Sequence, residues 1–257
     1  MIHCSPNPEC MFKAVVWAEL IGDLPSVRSR DEQIDLFSMA EGHDADHVEL
    51  KPLLDSLATK LRSKLDWVHG YRGRRLFIMA LFNLRHSAVD RFDVIFSAFA
   101  EALRIGPDSC IYGRGPAGKL FRHRSRDVGS EIHRMLGLVR FYESQTGILT
   151  ARPKLFHDTG DMILRKFQAR YPGKTLAFAL QDVVLLCQGG RVCRIPPADF
   201  FAGTLTLEDD FSAMWHTYYQ SQYIPARKNI RQAARFIPKK YWDWLEEGKI
   251  LQKESQT

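Results

Sequence analysis

The sequence predicts an α+β protein: a helical N-terminal half, then a small antiparallel sheet in the order ββαβββ with C-terminal helices packed on it. Three observations predict it. Apolar residues recur at helical spacing from Phe12 to Ile105. Past Met135 the pattern becomes short apolar runs, two of them flanking a Gly189-Gly190 hairpin signal. After Pro196-Pro197 a helical pattern returns, from about Glu208 onward.

The elements follow in order. Phe12 to Ile21 reads as a short apolar helix ended by Gly22 and Pro25. From Leu50 to Val68, Leu53, Leu54, Leu57, Leu61, Leu65 and Val68 make the inner stripe of an amphipathic helix. Arg74 to Leu84 reads as a buried helix, and Val89 to Ile105 as another, closed by Gly106 and Pro107. A glycine-rich break, Gly113 to Gly118, leads into a helix ending near Met135. Leu136 to Glu143 and Gly147 to Arg152 read as strands around a Gln145-Thr146-Gly147 turn. A helix from Met162 to Tyr171 stops at Pro172-Gly173, and Lys174 to Leu180, Val183 to Gln188 and Arg191 to Ile195 read as strands. The expected division is a mostly helical region, 1–110, and an α+β region with basic C-terminal helices, 111–257, the two able to form one compact domain.

The chain of 257 residues is long enough for a sizeable core, and its composition is that of a soluble globular protein. Five cysteines at scattered spacings, with no CxxC pair, point to reduced thiols in the cytoplasm. Neither a signal peptide nor an apolar run of membrane-spanning length is expected. No cofactor is called for.

The net charge of +6 is moderate but unevenly spread. Ala226 to Lys240 holds six cations, Arg227, Lys228, Arg231, Arg235, Lys239 and Lys240, and no acid. Aromatics bracket it: Trp215, Tyr218, Tyr219 and Tyr223 before, Tyr241, Trp242 and Trp244 after. Cations hold phosphates and aromatic faces stack on bases, so nucleic acid is one reading. A basic helix docked on a core by its aromatics is the other. A second cluster holds Arg114, Lys119, Arg122, His123, Arg124, Arg126, His133 and Arg134. Lys119, Arg122 and Arg126 fall on one helical face, which is either solvated or the second wall of a shared groove.

Other patterns carry less chemistry. Gly113 to Lys119 resembles a phosphate loop, but Leu120 stands where Ser or Thr is required and Pro116 removes a backbone donor. It reads as a connecting loop that can still reach phosphate through Arg114 and Lys119. His43, Asp44, Asp46 and His47 have metal-ligand spacing, yet acids ahead of Leu50 are favoured as helix caps, and no metal is assigned. His157, Asp158 and Asp161 could do acid–base work, but Thr159 or Asp158 as a helix cap is the favoured reading. No catalytic residue is identified.

Three segments resemble one family. Val128, Glu131, His133, Arg134, Gly137, Leu138, Arg140 and Phe141 resemble its V-x-x-E-x-H-R-x-x-G-F-x-R-F core. Phe167, Arg170, Tyr171 and Pro172 resemble its F-x-x-R-F-P helix end. Trp215, Tyr218, Tyr219, Ile224, Arg227, Asn229, Ile237, Pro238, Tyr241 and Trp242 are similar to W-x-x-Y-F, I-x-x-R-x-N and M-P-x-x-Y-W. The family is a bacterial one of unknown function, labelled as a DNA metabolism or DNA repair protein. Its members are paired with a radical SAM protein related to spore photoproduct lyase and sometimes joined to a uracil-DNA glycosylase-like domain. The resemblance runs from about Phe12 to Trp244. Departures are Ser5-Pro6-Asn7 near an expected Asp-Gly, Lys166 in place of His, and a plainly apolar Leu176 to Leu180.

The resemblance implies a DNA-binding accessory protein of repair or base modification, working with a radical SAM or glycosylase-type enzyme. Contacts are expected from Arg114, Lys119, Arg122, Arg126, His133, Arg134, Arg140, Arg227, Lys228, Asn229, Arg231, Arg235, Lys239 and Lys240. Arg140, alternating with Val139 and Phe141, is expected on the open face of a strand. The aromatics Tyr241 and Trp242 are expected to anchor the segment. Two alternatives stand beside this reading: an enzyme acting on a nucleobase or nucleotide through His133 or His157, and an interaction module whose basic tail docks an acidic partner.

Overall fold

A computed structural model describes residues 1–28, 42–144, 146–202, 217, 232 and 235–255. The chain is α+β and divides into two compact units, Met1–Ser130 and Glu131–Thr257.

The first unit contains β1 (Ile2–Cys4), α1 (Pro8–Ile21), β2 (Pro25–Val27), β3 (His43–Asp44), α2 (Leu50–Leu61), α3 (Tyr71–Leu84), α4 (Arg91–Ile105) and the short α5 (Asp108–Ile111). The helix α6 (Pro116–Leu138) begins in this unit and ends in the second. Asn7 starts α1 by accepting the Cys10 N–H at 2.9 Å, and Pro8 follows where no N–H is needed. The helix covers a three-stranded parallel sheet in the order β2-β1-β3, which the sequence reading missed. Phe12 on α1 centres the core, meeting Phe77 and Phe99 edge-on at 5.2 Å each. The expected helix from Leu50 to Val68 breaks at Arg62, which takes φ 51°, and a 3-10 turn over Asp66–Val68 follows.

In the second unit β4 (Tyr142–Glu143), β5 (Leu149–Ala151), β6 (Leu176–Ala179), β7 (Val184–Gln188) and β8 (Arg191–Ile195) form one sheet in that order. The helix α7 (Gly160–Arg170) lies between β5 and β6 in sequence, and α8 (Pro197–Ala202) follows β8. The ββαβββ order is as expected, but the sheet is mixed, because β5 and β6 pair in parallel. A helical crossover returns the chain in the direction in which it left, whereas hairpins reverse it. Every residue of β6 is buried. Phe178 meets Phe141 and Phe167 on the α7 side, while Ala177 and Ala179 pack with Val184 and Phe200. Covered faces on both sides explain why this strand is apolar throughout. A Cβ added at Gly160 would lie 2.5 Å from Leu185 Cδ1, so α7 sits on the sheet at a position without room for a side chain.

The expected strand from Leu136 is shorter than predicted. Helix α6 continues to Leu138, and only Tyr142–Glu143 joins the sheet. Near the C-terminus a 3-10 turn (Lys239–Tyr241) precedes α9 (Glu246–Glu254). No described helix is long and apolar enough to cross a membrane.

Candidate nucleic-acid interface

The geometry starts from a buried carboxylate. Glu131, on α6, is 1 % exposed and receives four donors from two distant segments. The backbone N–H groups of Phe156 and His157 donate at 2.8 and 3.1 Å, and the Thr159 hydroxyl donates at 2.7 Å. The Tyr241 hydroxyl closes the set at 3.4 Å. Thr159 stands at the N-cap of α7, as expected, but its hydroxyl bonds Glu131 and makes no capping bond. Burial, and next the Glu131 charge, push the Tyr241 phenol well above its ordinary range, with Arg134 opposing. Tyr241 and Trp242 are buried, and the Trp242 indole N–H donates to the Ile237 carbonyl at 2.7 Å. Both are anchors, as the sequence indicated.

These anchors present a basic pocket of about 500 Å³ on the second unit, lined by Lys154, Phe156, Lys239, Lys240, Trp242 and Asp243, among others. Lys240 Nζ lies 4.2 Å from the Phe156 ring centroid, and Lys239 Nζ lies 5.7 Å from that of Trp242. Each such contact at an exposed site contributes ~0.5–1 kcal/mol. Asp243 is ion-paired with Lys154, which holds its carboxyl below the ordinary range. Arg235 and the 71 %-exposed Phe236 immediately precede the pocket segment.

On the first unit the cations divide into two sets. Arg28, Arg104 and Arg124 are tied to Asp44, Glu19 and Asp90. Among the described residues, no carboxylate pairs with Arg114, Lys119, Arg122 or Arg126. Arg114, Lys119 and Arg126 are exposed and Arg122 is half-buried. The sequence reading missed two further cations with no carboxylate partner among the described residues, Arg74 and Arg75 on α3. Arg75 and Arg114 both lie on the ring of Tyr112, at 5.5 and 5.3 Å from its centroid. The signal was present as three arginines, Arg72, Arg74 and Arg75, in an acid-free helix, but the apolar run after them reads as core.

The phosphate-loop likeness has a structural answer. Glu101 on α4 accepts the Ala117 and Gly118 N–H groups at 3.0 and 3.3 Å, so an internal carboxylate sits where a bound anion would. A Cβ at Gly118 would lie 2.5 Å from the Ser109 carbonyl, which explains the glycine by close packing. Arg124, counted in the basic cluster, is 9 % exposed and grips both Asp90 oxygens at 2.9 Å.

Other expected sites resolve as follows. His133 is exposed on α6 and Arg134 is half-buried. Arg140 is not on a strand; it follows α6, bonds the Gly137 carbonyl at 2.7 Å and pairs with Glu247 at 3.8 Å. Arg227, Lys228, Asn229 and Arg231 lie outside the described residues, as do Trp215, Tyr218, Tyr219, Tyr223 and most of the helices expected from Glu208 onward. The acids before Leu50 do not cap α2, whose cap residue Glu49 makes no side-chain capping bond. Instead Asp46 accepts from the Ser5 N–H and hydroxyl, and Asp44 pairs with Arg28 at 2.7 Å. Asp158 pairs with Arg194 at 3.2 Å.

A family model described as the domain of unknown function DUF4130 matches residues 89–247, more than half of the chain. The chain belongs to the DUF4130 family. The DUF4130 match begins just before α4 and so takes in the Glu101 cap, the Asp90–Arg124 pair, the α6 cations and the Glu131 network. It leaves out the parallel sheet and α1 to α3, although the sequence resemblance runs back to about Phe12. No curated protein and no solved structure matches the chain.

Proposed function

We propose that the chain is a DNA-binding accessory protein of repair or base modification, working with a separate radical SAM or glycosylase-type enzyme. The observation that carries the DNA part is the set of cations on one face of α6, Lys119, Arg122 and Arg126, that have no carboxylate partner among the described residues. In the same unit Arg28, Arg104 and Arg124 are instead held by carboxylates. Guanidinium and ammonium groups left without partners are what phosphate oxygens recruit, and their release of counterions makes binding steeply salt-dependent. The repair context and the partner rest on the family resemblance of the Val128 to Phe141 segment and the segments that follow it.

The test is a titration of labelled single-stranded and duplex DNA across a salt series. Binding that weakens steeply with salt is expected; negligible affinity for both forms at low salt rejects the reading. Co-purification with a radical SAM or glycosylase-like enzyme, surviving nuclease treatment, tests the partner.

One observation favours the enzyme alternative. A cavity of about 440 Å³ beside the start of α7 is lined by Lys154, His157, Asp158 and Asp182, among others. Converging titratable groups in a cleft are what nucleobase chemistry needs. Turnover of a nucleoside or nucleotide that His157→Ala abolishes would select this reading.

A further inference from the structure

We propose that the Phe156 pocket takes one unpaired nucleotide, its base against the Phe156 ring and its phosphate on Lys239 and Lys240. The chain then prefers single-stranded to duplex DNA. This rests on the DNA-binding reading and names the form of DNA that the second unit recognises.

The first argument is shape. A duplex offers phosphates on a convex rod and keeps both faces of each base inside the stack. The pocket, about 500 Å³ and open to the surface, has room for one base, and a base can lie on its Phe156 wall only when that face is out of the stack. The second is the wall. Phe156 is half-buried, and Tyr241 packs edge-on against it with centroids 5.2 Å apart. Its backbone N–H is fixed by Glu131 at 2.8 Å, so the ring is held before any ligand arrives. Trp242 is buried with its N–H spent, which makes it the floor of the pocket and leaves Phe156 as the stacking surface.

The third argument is charge. Lys239 and Lys240 have no carboxylate partner among the described residues, and Asp243 is taken up by Lys154. Lys240 rests over the Phe156 ring at 4.2 Å. A cation on an exposed ring is held weakly, whereas a base stacks on an aromatic ring more strongly. An arriving base therefore displaces the ammonium, which swings to the phosphate of the same nucleotide.

The experiment compares a labelled oligothymidylate with a duplex of equal length, and places 2-aminopurine in a single strand as a stacking reporter. The expected result is tighter binding of the single strand, with a change in 2-aminopurine fluorescence as the base leaves its stack for the Phe156 ring. Phe156→Leu should lower single-strand affinity roughly ten-fold and abolish that change, leaving duplex affinity unchanged. Lys240→Gln, an exposed change that leaves the Phe156–Tyr241 packing in place, should weaken the single strand alone and carries the test if Phe156→Leu lowers the melting temperature. Equal affinity for both forms, unaffected by either variant, overturns the pocket while leaving DNA binding by α6 intact. No binding of either form at low salt overturns both.

Discussion

Glu131 and Tyr241, 110 positions apart, meet inside the second unit through a hydrogen bond from the phenol to the carboxylate. Neither is solvent-exposed. The same carboxylate holds the Phe156 to Thr159 turn, so one side chain links the end of α6, the start of α7 and the C-terminal aromatic anchor.

Glu131→Ala should therefore be strongly destabilising. It strands two backbone donors and two hydroxyls, each buried unsatisfied group costing about 1–3 kcal/mol. A loss of roughly 3 kcal/mol or more is expected in urea unfolding. Glu131→Gln keeps one acceptor and should lose less. Loss of the Phe156 pocket in the Ala variant should follow from unfolding of the turn and not from charge.

Neutralising Lys119, Arg122 and Arg126 together to Gln should weaken duplex DNA binding on all sequences alike. The slope of log K against log salt should become shallower by about 2–3, as loss of three phosphate contacts requires. Thermal stability should hardly change, because none of the three is ion-paired among the described residues. A loss confined to one DNA sequence would contradict a backbone contact.

Glu101→Ala should uncap α6. Two N–H groups lose their acceptor, and a helix cap of this kind contributes about 1–2 kcal/mol. Calorimetry on the full chain should show a lowered melting temperature. Gly118→Ala should be comparably damaging because its Cβ would meet the Ser109 carbonyl.

The first unit should lose stability in acid. Burial pushes the Asp46 carboxyl up, but the Ser5 hydroxyl and N–H donors, helped by Arg28, outweigh it and hold it below its ordinary value of 3.8. Asp44 is held down in the same sense, burial again opposed by the Asp46 N–H and Arg28. A depressed carboxylate stabilises the fold fully above its unfolded pKa and stops doing so as pH falls through the lower folded value. Unfolding midpoints measured below about pH 4 should fall less steeply in Asp46→Asn than in the parent.

Thiol reactivity should separate the cysteines. Burial pushes Cys4 and Cys110 up to about 12, while Cys193 is exposed. The thiolate is the nucleophile, so iodoacetamide near neutral pH should label Cys193 well before Cys4 or Cys110, read by peptide mass spectrometry.

Much of this architecture was legible in the sequence, because long periodic elements and glycine turns announce themselves. The strand Arg191 to Ile195 and the start of α2 at Leu50 appear where the pattern places them. The parallel sheet was not legible, since strands of two or three residues carry no period and Pro25 reads as a helix stop. The break at Arg62 had no signal either: the left-handed residue there is an arginine, not the glycine that usually marks a helix end. Of the candidate site, Lys239, Lys240 and the α6 face were visible as charge. Phe156 was not, because only the distant Glu131 fixes its position, and Arg75 was hidden in an apolar helix.

The Glu101 carboxylate at the head of α6 has a consequence for what can compete with a ligand of the first unit. With its own anion seated there, the helix offers small phosphates no ring of amide donors, and attraction rests on separated side-chain charges. On the proposed DNA-binding reading, such a surface should respond to charge density along a polymer and not to single anions. Heparin should displace DNA from it readily, whereas inorganic phosphate should act only through its ionic strength.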